Sequence, residues 1–176
     1  MNKSPSICFL ICTEPGLLEK KSLLLATSIR TFGGMLSKVP IYSFQPRLGP
    51  KLSPKVRGQF EKLEVSHQVI HLNKDFPSYD FANKIFVASY AEKSLNTDYL
   101  VFIDSDQVVF DAPVDLILPA SFDVGVRPVS TKNIGTDGRN DANLAYWKKL
   151  YKILGVQKQS YIMPSFHTAW TQSGRS

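Results

Sequence analysis

One segment in the middle of the chain constrains the fold more than any other part of the sequence. Residues 99–103 are five consecutive apolar residues, rich in β-branched and aromatic types. Such a run is typical of a strand that is covered on both faces by helices, as in the centre of a parallel sheet. Asp104, Ser105 and Asp106 follow directly. Because ligands of open α/β sheets bind outside the carboxyl ends of the strands, the two acids are predicted to lie at a ligand site.

The two acids indicate a divalent cation. An extended backbone puts residues i and i+2 on the same face roughly 6.5–7 Å apart, so Asp104 and Asp106 can point into one small volume. Two carboxylates in one site repel each other unless a cation, a raised pKa or open water stabilises them. Mg²⁺ or Mn²⁺ fits, because a hard ion prefers oxygen ligands and keeps positions free for phosphate oxygens.

The alternative interpretation is that Asp104-Ser105-Asp106 only closes a strand and opens a solvated turn. A second apolar run at residues 108–110, taken as a second strand, favours the metal site. It would place the acids inside the sheet region, where an idle charge is costly.

The rest of the pattern predicts an α/β fold: a Rossmann-like, doubly wound, mostly parallel sheet flanked by helices. Strands are predicted at residues 6–12, 38–44 and 67–72, and helices at 17–32, 56–63 and about 81–95. After the acids we expect a helical turn at 113–118, strands at 122–127 and 161–163, a polar loop at 130–140 and a helix at 142–154. By length, residues 1–176 form a single α/β domain.

The charge distribution limits the classes of ligand that the chain can bind, and the cysteine spacing limits disulfide formation. Residues 1–60 carry nine Lys or Arg against two acids, and the remainder carries twelve against thirteen. A basic first half suits an anionic ligand, but the cations are spread out with no stacking-aromatic pattern, which disfavours nucleic acid. Arg47 belongs to a proline-rich basic stretch that we interpret as a mobile surface loop, or one that closes over a ligand. Cys8 and Cys12 lie about 13 Å apart on one predicted strand, too far for a disulfide.

The amino-terminal apolar run gives an expectation about location. It covers residues 7–12, which is too short for a signal-peptide core or a membrane span. We therefore expect a cytoplasmic protein with no membrane span.

The arrangement resembles glycosyltransferases of the GT-A fold, the nucleotide-diphospho-sugar transferases, among them the glycogenin-like enzymes. The resemblance rests on the first strand and helix, a helix beginning near Asn83-Lys84, and residues 99–110 as strand, D-x-D and second strand. It extends over about residues 5–155, the nucleotide-binding half, and includes a later helical segment, Asn140–Gly155, with Tyr146-Trp147 and Leu150-Tyr151. It implies transfer of a sugar from a nucleotide-diphosphate sugar to an unknown acceptor (glycan, lipid or protein) with Mn²⁺ or Mg²⁺.

The resemblance also implies roles for individual residues. Asp106 would be a direct ligand of the ion that bridges the diphosphate, and Asp104 would bind the ribose, or the ion through water. The ion would neutralise the charge that builds on the leaving diphosphate. Lys84 would contact phosphate, and Lys93 is the alternative candidate for that role. Thr13 and Glu14, in the loop after the first strand, would contact the donor nucleotide.

Two alternatives remain open at the level of the sequence. The family has a second, acceptor-binding half, which is short or missing here, and no convincing catalytic base follows the acids. The chain is therefore either a transferase with an unusual acceptor site or a non-catalytic or truncated nucleotide-sugar-binding module. The other alternative is a haloacid-dehalogenase-type phosphatase with Asp104 as nucleophile. That motif usually ends the first strand of its domain, whereas here about a hundred residues precede it.

Overall fold

A computed structural model describes residues 6–119, 121–125 and 143–155, and the backbone of 172–174. Contacts group the chain into two compact units, Met1–Gly125 with Trp170–Ser176, and Val126–Ala169. The first unit contains the sheet. The predicted loop at 130–140 and strand at 161–163 lie outside the described residues.

The described elements alternate between strands and helices, as the sequence predicts. In chain order they are β1 (Ile7–Cys12), α1 (Leu17–Phe32), a 3-10 turn (Gly34–Leu36), β2 (Ile41–Gln45), α2 (Pro54–Lys62), β3 (Val65–Val69), α3 (Ala82–Ser94), β4 (Tyr99–Phe102), a second 3-10 turn (Val114–Leu116), β5 (Val124–Gly125), α4 (Leu144–Leu154) and β6 (Gln172–Gly174). Helix α4 belongs to the second unit. None of the described helices is both long and apolar enough to cross a bilayer.

The sheet has the order β3-β2-β1-β4-β6-β5. Strands β3, β2, β1 and β4 pair in parallel, and β6 pairs antiparallel with both β4 and β5. The mostly parallel, Rossmann-like sheet predicted from the sequence is confirmed. The chain winds outward from β1 to β3 and then returns to the other side of β1 as β4. The carboxyl ends of β1 and β4 therefore form the switch point where doubly wound sheets bind ligands.

Alternate residues of β1 belong to opposite cores, because successive side chains of a strand point to opposite faces. Phe9 and Ile11 pack with α1 and α2 in a core that also contains the following buried residues: Leu25, Ile29, Val56, Phe60 and Val101. Cys8 and Leu10 pack with Val87 and Ala91 of α3 in the second core. Helices on both faces explain why β1 and β4 are continuously apolar.

Several predicted strands differ from the structure: β3 runs over Val65–Val69 rather than residues 67–72, and β5 begins at Val124 rather than residue 122. Strand β2 begins at Ile41 rather than residue 38, after Pro40, which has no N–H to donate to a neighbouring strand. The predicted second strand at 108–110 is wrong. The Val109 N–H donates to Ser28 Oγ of α1 (3.0 Å) instead of joining the sheet, and the Val109 side chain packs against the first core.

The residue that precedes helix α1, Gly16, has a backbone conformation that favours glycine. Gly16 has φ 92° and ψ −129°, a conformation that residues with a Cβ rarely adopt. The four residues between β1 and α1 thus make a tight turn at the carboxyl edge of the sheet, where the Thr13 N–H donates to Phe44 O of β2 (2.9 Å).

Candidate functional site

The acidic turn follows β4 at the switch point. Strand pairing continues one residue past β4, since the Ile103 N–H donates to Leu10 O (2.9 Å). The Gln107 N–H then donates to Asp104 O (3.0 Å), which closes a four-residue turn. The extended backbone that we assumed through Asp104 and Asp106 is therefore wrong, and a turn begins there instead.

Ser105 ties this turn to the end of β1. Its side chain is buried and its hydroxyl donates to Cys12 O. The residues on either side differ, because Asp104 is only partly buried and Asp106 is exposed. The middle residue of the motif thus anchors the turn inward, while both acids keep access to solvent at the sheet edge.

Asp104 forms an ion pair with Lys84. Lys84 lies in the first turns of α3, and its Nζ contacts Asp104 Oδ1. The two side chains are 37% and 20% exposed. The ammonium also lies 5.5 Å from the centre of the Phe81 ring, within the range of a cation–π contact. The structure therefore brings together two of the predicted site residues, whereas the competitor Lys93 lies exposed in the last turn of α3.

Glu14 is held by a cation that the sequence interpretation did not assign to the site. Arg47 Nε donates to Glu14 Oε1 (2.7 Å), and Arg47 Nη2 pairs with Glu14 Oε2. Arg47 Nη1 donates to Asp80 Oδ1 (2.6 Å) and to Pro77 O (2.7 Å). The hydrogen bonds to Glu14 are the main reason that the pKa of Arg47 is raised above its ordinary value. One guanidinium therefore joins the loops that follow β1, β2 and β3.

Two asparagines complete this network. Asn83, in the first turn of α3, donates through Nδ2 to Glu14 Oε1 (3.5 Å) and accepts through Oδ1 from Asn73 Nδ2 (2.8 Å). Asn73 is fully buried and accepts from the Phe76 N–H (3.1 Å). The start of α3, and with it Lys84, is thus fixed relative to Glu14.

Thr13 lies at the predicted position, but its side chain points into the interior. It is 0% exposed, and its hydroxyl donates to Ser22 Oγ (2.9 Å) and accepts from Ser43 Oγ (2.8 Å). Ser43 Oγ also lies 2.9 Å from His67 Nδ1. The Thr13 hydroxyl therefore links β1 to α1 and β2, and only its main chain borders the sheet edge.

The pKa of the Cys12 thiol, at the end of β1, is affected by several of these charges. Burial is the main cause that raises the pKa of the Cys12 thiol to about 12. The negative charges of Glu14 and Asp104 raise it further, and the positive charge of Lys84 lowers it. A thiol with this pKa stays protonated and does not act as a nucleophile.

The donor atoms at the turn suit a hard cation with an incomplete protein shell. Asp104 and Asp106 offer only carboxylate oxygens, which Mg²⁺ and Mn²⁺ prefer. Among the residues that the structure describes, no group of three His, Cys, Asp or Glu side chains could hold a metal. The remaining positions would be filled by water or by a ligand's phosphate oxygens, as is usual for Mg²⁺.

The sequence interpretation missed Arg47, Asn73, Asp80 and Asn83. Arg47 and Asn73 follow the carboxyl ends of β2 and β3, and that position was the available signal. Arg47 was grouped with a mobile basic loop instead, yet its side chain is only 24% exposed and is held by four hydrogen bonds. A cavity of about 440 Å³ lies elsewhere, at the amino ends of the strands, and does not border the acids.

Several solved structures resemble this fold. A bifunctional glycosyltransferase, WbbM, matches with a TM-score of 0.64 and 16% identity, over 99% of this chain and 32% of its own. The galactosyltransferase LgtC, in complex with donor and acceptor sugar analogs, gives a TM-score of 0.57 and 12% identity, over 94% of this chain and 57% of its own. Mannosyl-3-phosphoglycerate synthase from Rubrobacter xylanophilus gives a TM-score of 0.53 and 11% identity, over 97% and 54%.

These likenesses establish a GT-A type fold, and the chain spans between about a third and just over a half of those proteins. No curated protein matches the chain in sequence. The family model of the Rhodobacterales glycosyltransferase domain matches residues 9–173, which is nearly the whole chain. With the sheet, its switch point and the acidic turn in place, the chain belongs to the Rhodobacterales glycosyltransferase domain family.

Proposed function

We propose that this chain transfers a sugar from a nucleotide-diphosphate sugar to an acceptor, with Mn²⁺ or Mg²⁺ held at Asp104 and Asp106. The observation that carries the proposal is the acidic turn itself. It lies at the switch point of a glycosyltransferase-family fold, with Lys84 against Asp104 and with Asp106 exposed beside them. Carboxylates supply ligands for the cation, and the ammonium supplies a positive partner for phosphate.

The diphosphate is the part of the donor for which this site is best suited. When bound, the cation supplies Lewis-acid assistance by neutralising charge on the departing diphosphate. Asp106 is exposed enough to ligate it directly, and Asp104, partly buried, binds the ribose or the ion through water. Lys84 offers three N–H donors to phosphate oxygens. Because the start of α3 is fixed by Asn83 and Asn73, the ammonium is pre-positioned rather than recruited from solvent.

The donor nucleotide is proposed to lie against the loop after β1. Glu14 faces this edge in one orientation because Arg47 and Asn83 hold its carboxylate. Thr13 would contribute through its main chain, since its hydroxyl is enclosed. LgtC, which shares the fold, was solved with donor and acceptor sugar analogs, and this supports a two-substrate transferase.

The test is a thermal-shift screen of nucleotide-diphosphate sugars with and without Mn²⁺. We expect stabilisation that requires both Mn²⁺ and the Asp106 carboxylate, because ligand binding to the native state raises the melting temperature. Asp106→Ala should abolish the shift. Asp115→Ala, which removes another exposed acid on the short turn after the motif, is the matched control and should respond as the wild type does. A wild-type response from Asp106→Ala would refute the assigned site.

The second candidate is a nucleotide-sugar-binding module without turnover. Donor binding that depends on Mn²⁺ and Asp106 but yields no transfer to saccharide, lipid or protein acceptors would favour it. The phosphatase alternative, with Asp104 as nucleophile, has no counterpart in a glycosyltransferase family and is not proposed.

A further inference from the structure

We infer that the Lys84 ammonium competes with the cation for the Asp104 carboxylate, so that the site binds the cation together with a diphosphate and discriminates against the cation alone. The inference rests on the proposed function and specifies which ligands that site binds. It begins from one contact: the chain pairs the Asp104 carboxylate with its own ammonium, Lys84 Nζ to Asp104 Oδ1. Any ligand that uses this carboxylate oxygen has to compete with the ammonium.

The charges at the turn show what such a ligand must bring. Asp104, Asp106 and Lys84 together carry a net charge of −1 at pH 7. Binding of a free divalent ion changes the local charge to +1 and leaves an ammonium next to a dication, which is unfavourable at short range. The diphosphate of a sugar donor carries two negative charges, so binding of the ion with the diphosphate restores −1. Only binding of the ion together with a diphosphate leaves the net charge of the site unchanged.

The ammonium cannot avoid this conflict by moving far away. It lies over the Phe81 ring at 5.5 Å, and the first turn of its helix includes Asn83, which is bonded to Glu14 and Asn73. The start of α3 is therefore tied to the loop after β1, and Lys84 stays within reach of the turn. When a diphosphate is present, Lys84 exchanges a carboxylate oxygen for a phosphate oxygen and keeps an anionic partner throughout.

The size of the effect follows from exposure. Lys84 and Asp104 are 37% and 20% exposed, so solvent screens much of their attraction. We therefore expect the pairing to weaken binding of the free ion by about fivefold rather than by orders of magnitude. Coupling between two ligands is reciprocal. The factor by which the ion increases nucleotide affinity should therefore change by about the same fivefold amount when the ammonium is removed.

The experiment compares wild type with Lys84→Met, which keeps the aliphatic stem and removes the charge. Lys84→Arg restores a cation at the same position. Lys93→Met removes an exposed lysine from the last turn of the same helix and is the matched control. Free Mn²⁺ is followed by its electron paramagnetic resonance signal during a titration without nucleotide. UDP and GDP are then titrated calorimetrically in Mn²⁺ and in EDTA, and circular dichroism verifies that each variant is folded.

Without nucleotide, Lys84→Met should bind Mn²⁺ about fivefold more tightly than wild type, while Lys84→Arg and Lys93→Met should match wild type. The factor by which Mn²⁺ strengthens UDP or GDP binding should be about fivefold smaller in Lys84→Met than in wild type. A merely structural lysine would weaken Mn²⁺ binding on removal or leave it unchanged.

Two failures are distinguishable. If wild type binds UDP or GDP with Mn²⁺ but Lys84→Met binds Mn²⁺ no more tightly, the inference is overturned and the proposed function stands. If wild type binds neither nucleotide with Mn²⁺, the proposed function fails and this inference fails with it.

Discussion

Removing the Arg47 guanidinium should destabilise the protein more than a surface ion pair would. The Arg47–Glu14 pair is bidentate and both side chains are mostly buried, at 24% and 17% exposure. Hydrogen bonds to charged groups contribute about 1.5–3 kcal/mol. Asp80 is 74% exposed, so its pair with Arg47 contributes about 0–1 kcal/mol. We predict that Arg47→Met lowers the free energy of unfolding by about 3 kcal/mol, mainly because Glu14 then keeps an unpaired charge.

The assay is urea denaturation followed by far-ultraviolet circular dichroism, arranged as two double-mutant cycles. Arg47→Met is combined with Glu14→Gln in one cycle and with Asp80→Asn in the other. The first coupling energy should be about 2 kcal/mol and the second below about 1 kcal/mol. In a chain of this length a loss of about 3 kcal/mol lowers the melting temperature by roughly 6–12 °C. An Arg47→Met loss below about 0.5 kcal/mol, or equal couplings, would refute the account of Arg47 as the link between three loops.

Three further predictions concern residues around the same edge. Burial lowers the pKa of His67 below its ordinary 6.5, so the unfolded state binds the extra proton first and stability should fall as pH drops below about 6.5. His67→Gln should flatten that dependence in denaturation midpoints measured from pH 7 to 5; an unchanged slope would show that other groups cause it. Ser105→Ala should lower the free energy of unfolding by about 1–2 kcal/mol, because Cys12 O then lacks its hydroxyl donor. It should also weaken Mn²⁺-dependent nucleotide binding, and calorimetry that shows wild-type affinity would contradict the anchoring role of Ser105. The Cys12 thiol, with a pKa of about 12, should resist iodoacetamide at pH 8 until the protein is unfolded in urea, and mass spectrometry showing rapid labelling of folded protein would contradict its burial.

The fold was predictable because its strongest signals are local. Continuous apolar runs with helical periods between them identified β1, β4, α1 and α3, and their alternation left few topologies other than a doubly wound sheet. The false second strand at 108–110 shows the limit of such reasoning. Its apolar residues serve a different purpose, because Val109 packs against the core and bonds to Ser28 rather than joining the sheet.

The site was less predictable because it depends on contacts between residues far apart in sequence. The position of the acids at the carboxyl end of β4 follows from the strand signal. The turn through Asp104 does not, since it is set by the Ser105 bond to Cys12 O, 93 residues away. Arg47 was read as a surface cation because nothing local shows that Glu14 and Asp80, each 33 residues away, meet it.

The central claim is that the acidic turn, through a bound cation, activates a sugar donor. Release of nucleoside diphosphate from a panel of UDP- and GDP-sugars, with saccharide acceptors present, tests it most directly for wild type, Asp106→Ala and Asp115→Ala. We predict release that requires Mn²⁺ or Mg²⁺, falls at least about a hundredfold in Asp106→Ala and is unchanged in Asp115→Ala. Release that continues in EDTA, or that survives in Asp106→Ala, would contradict the account.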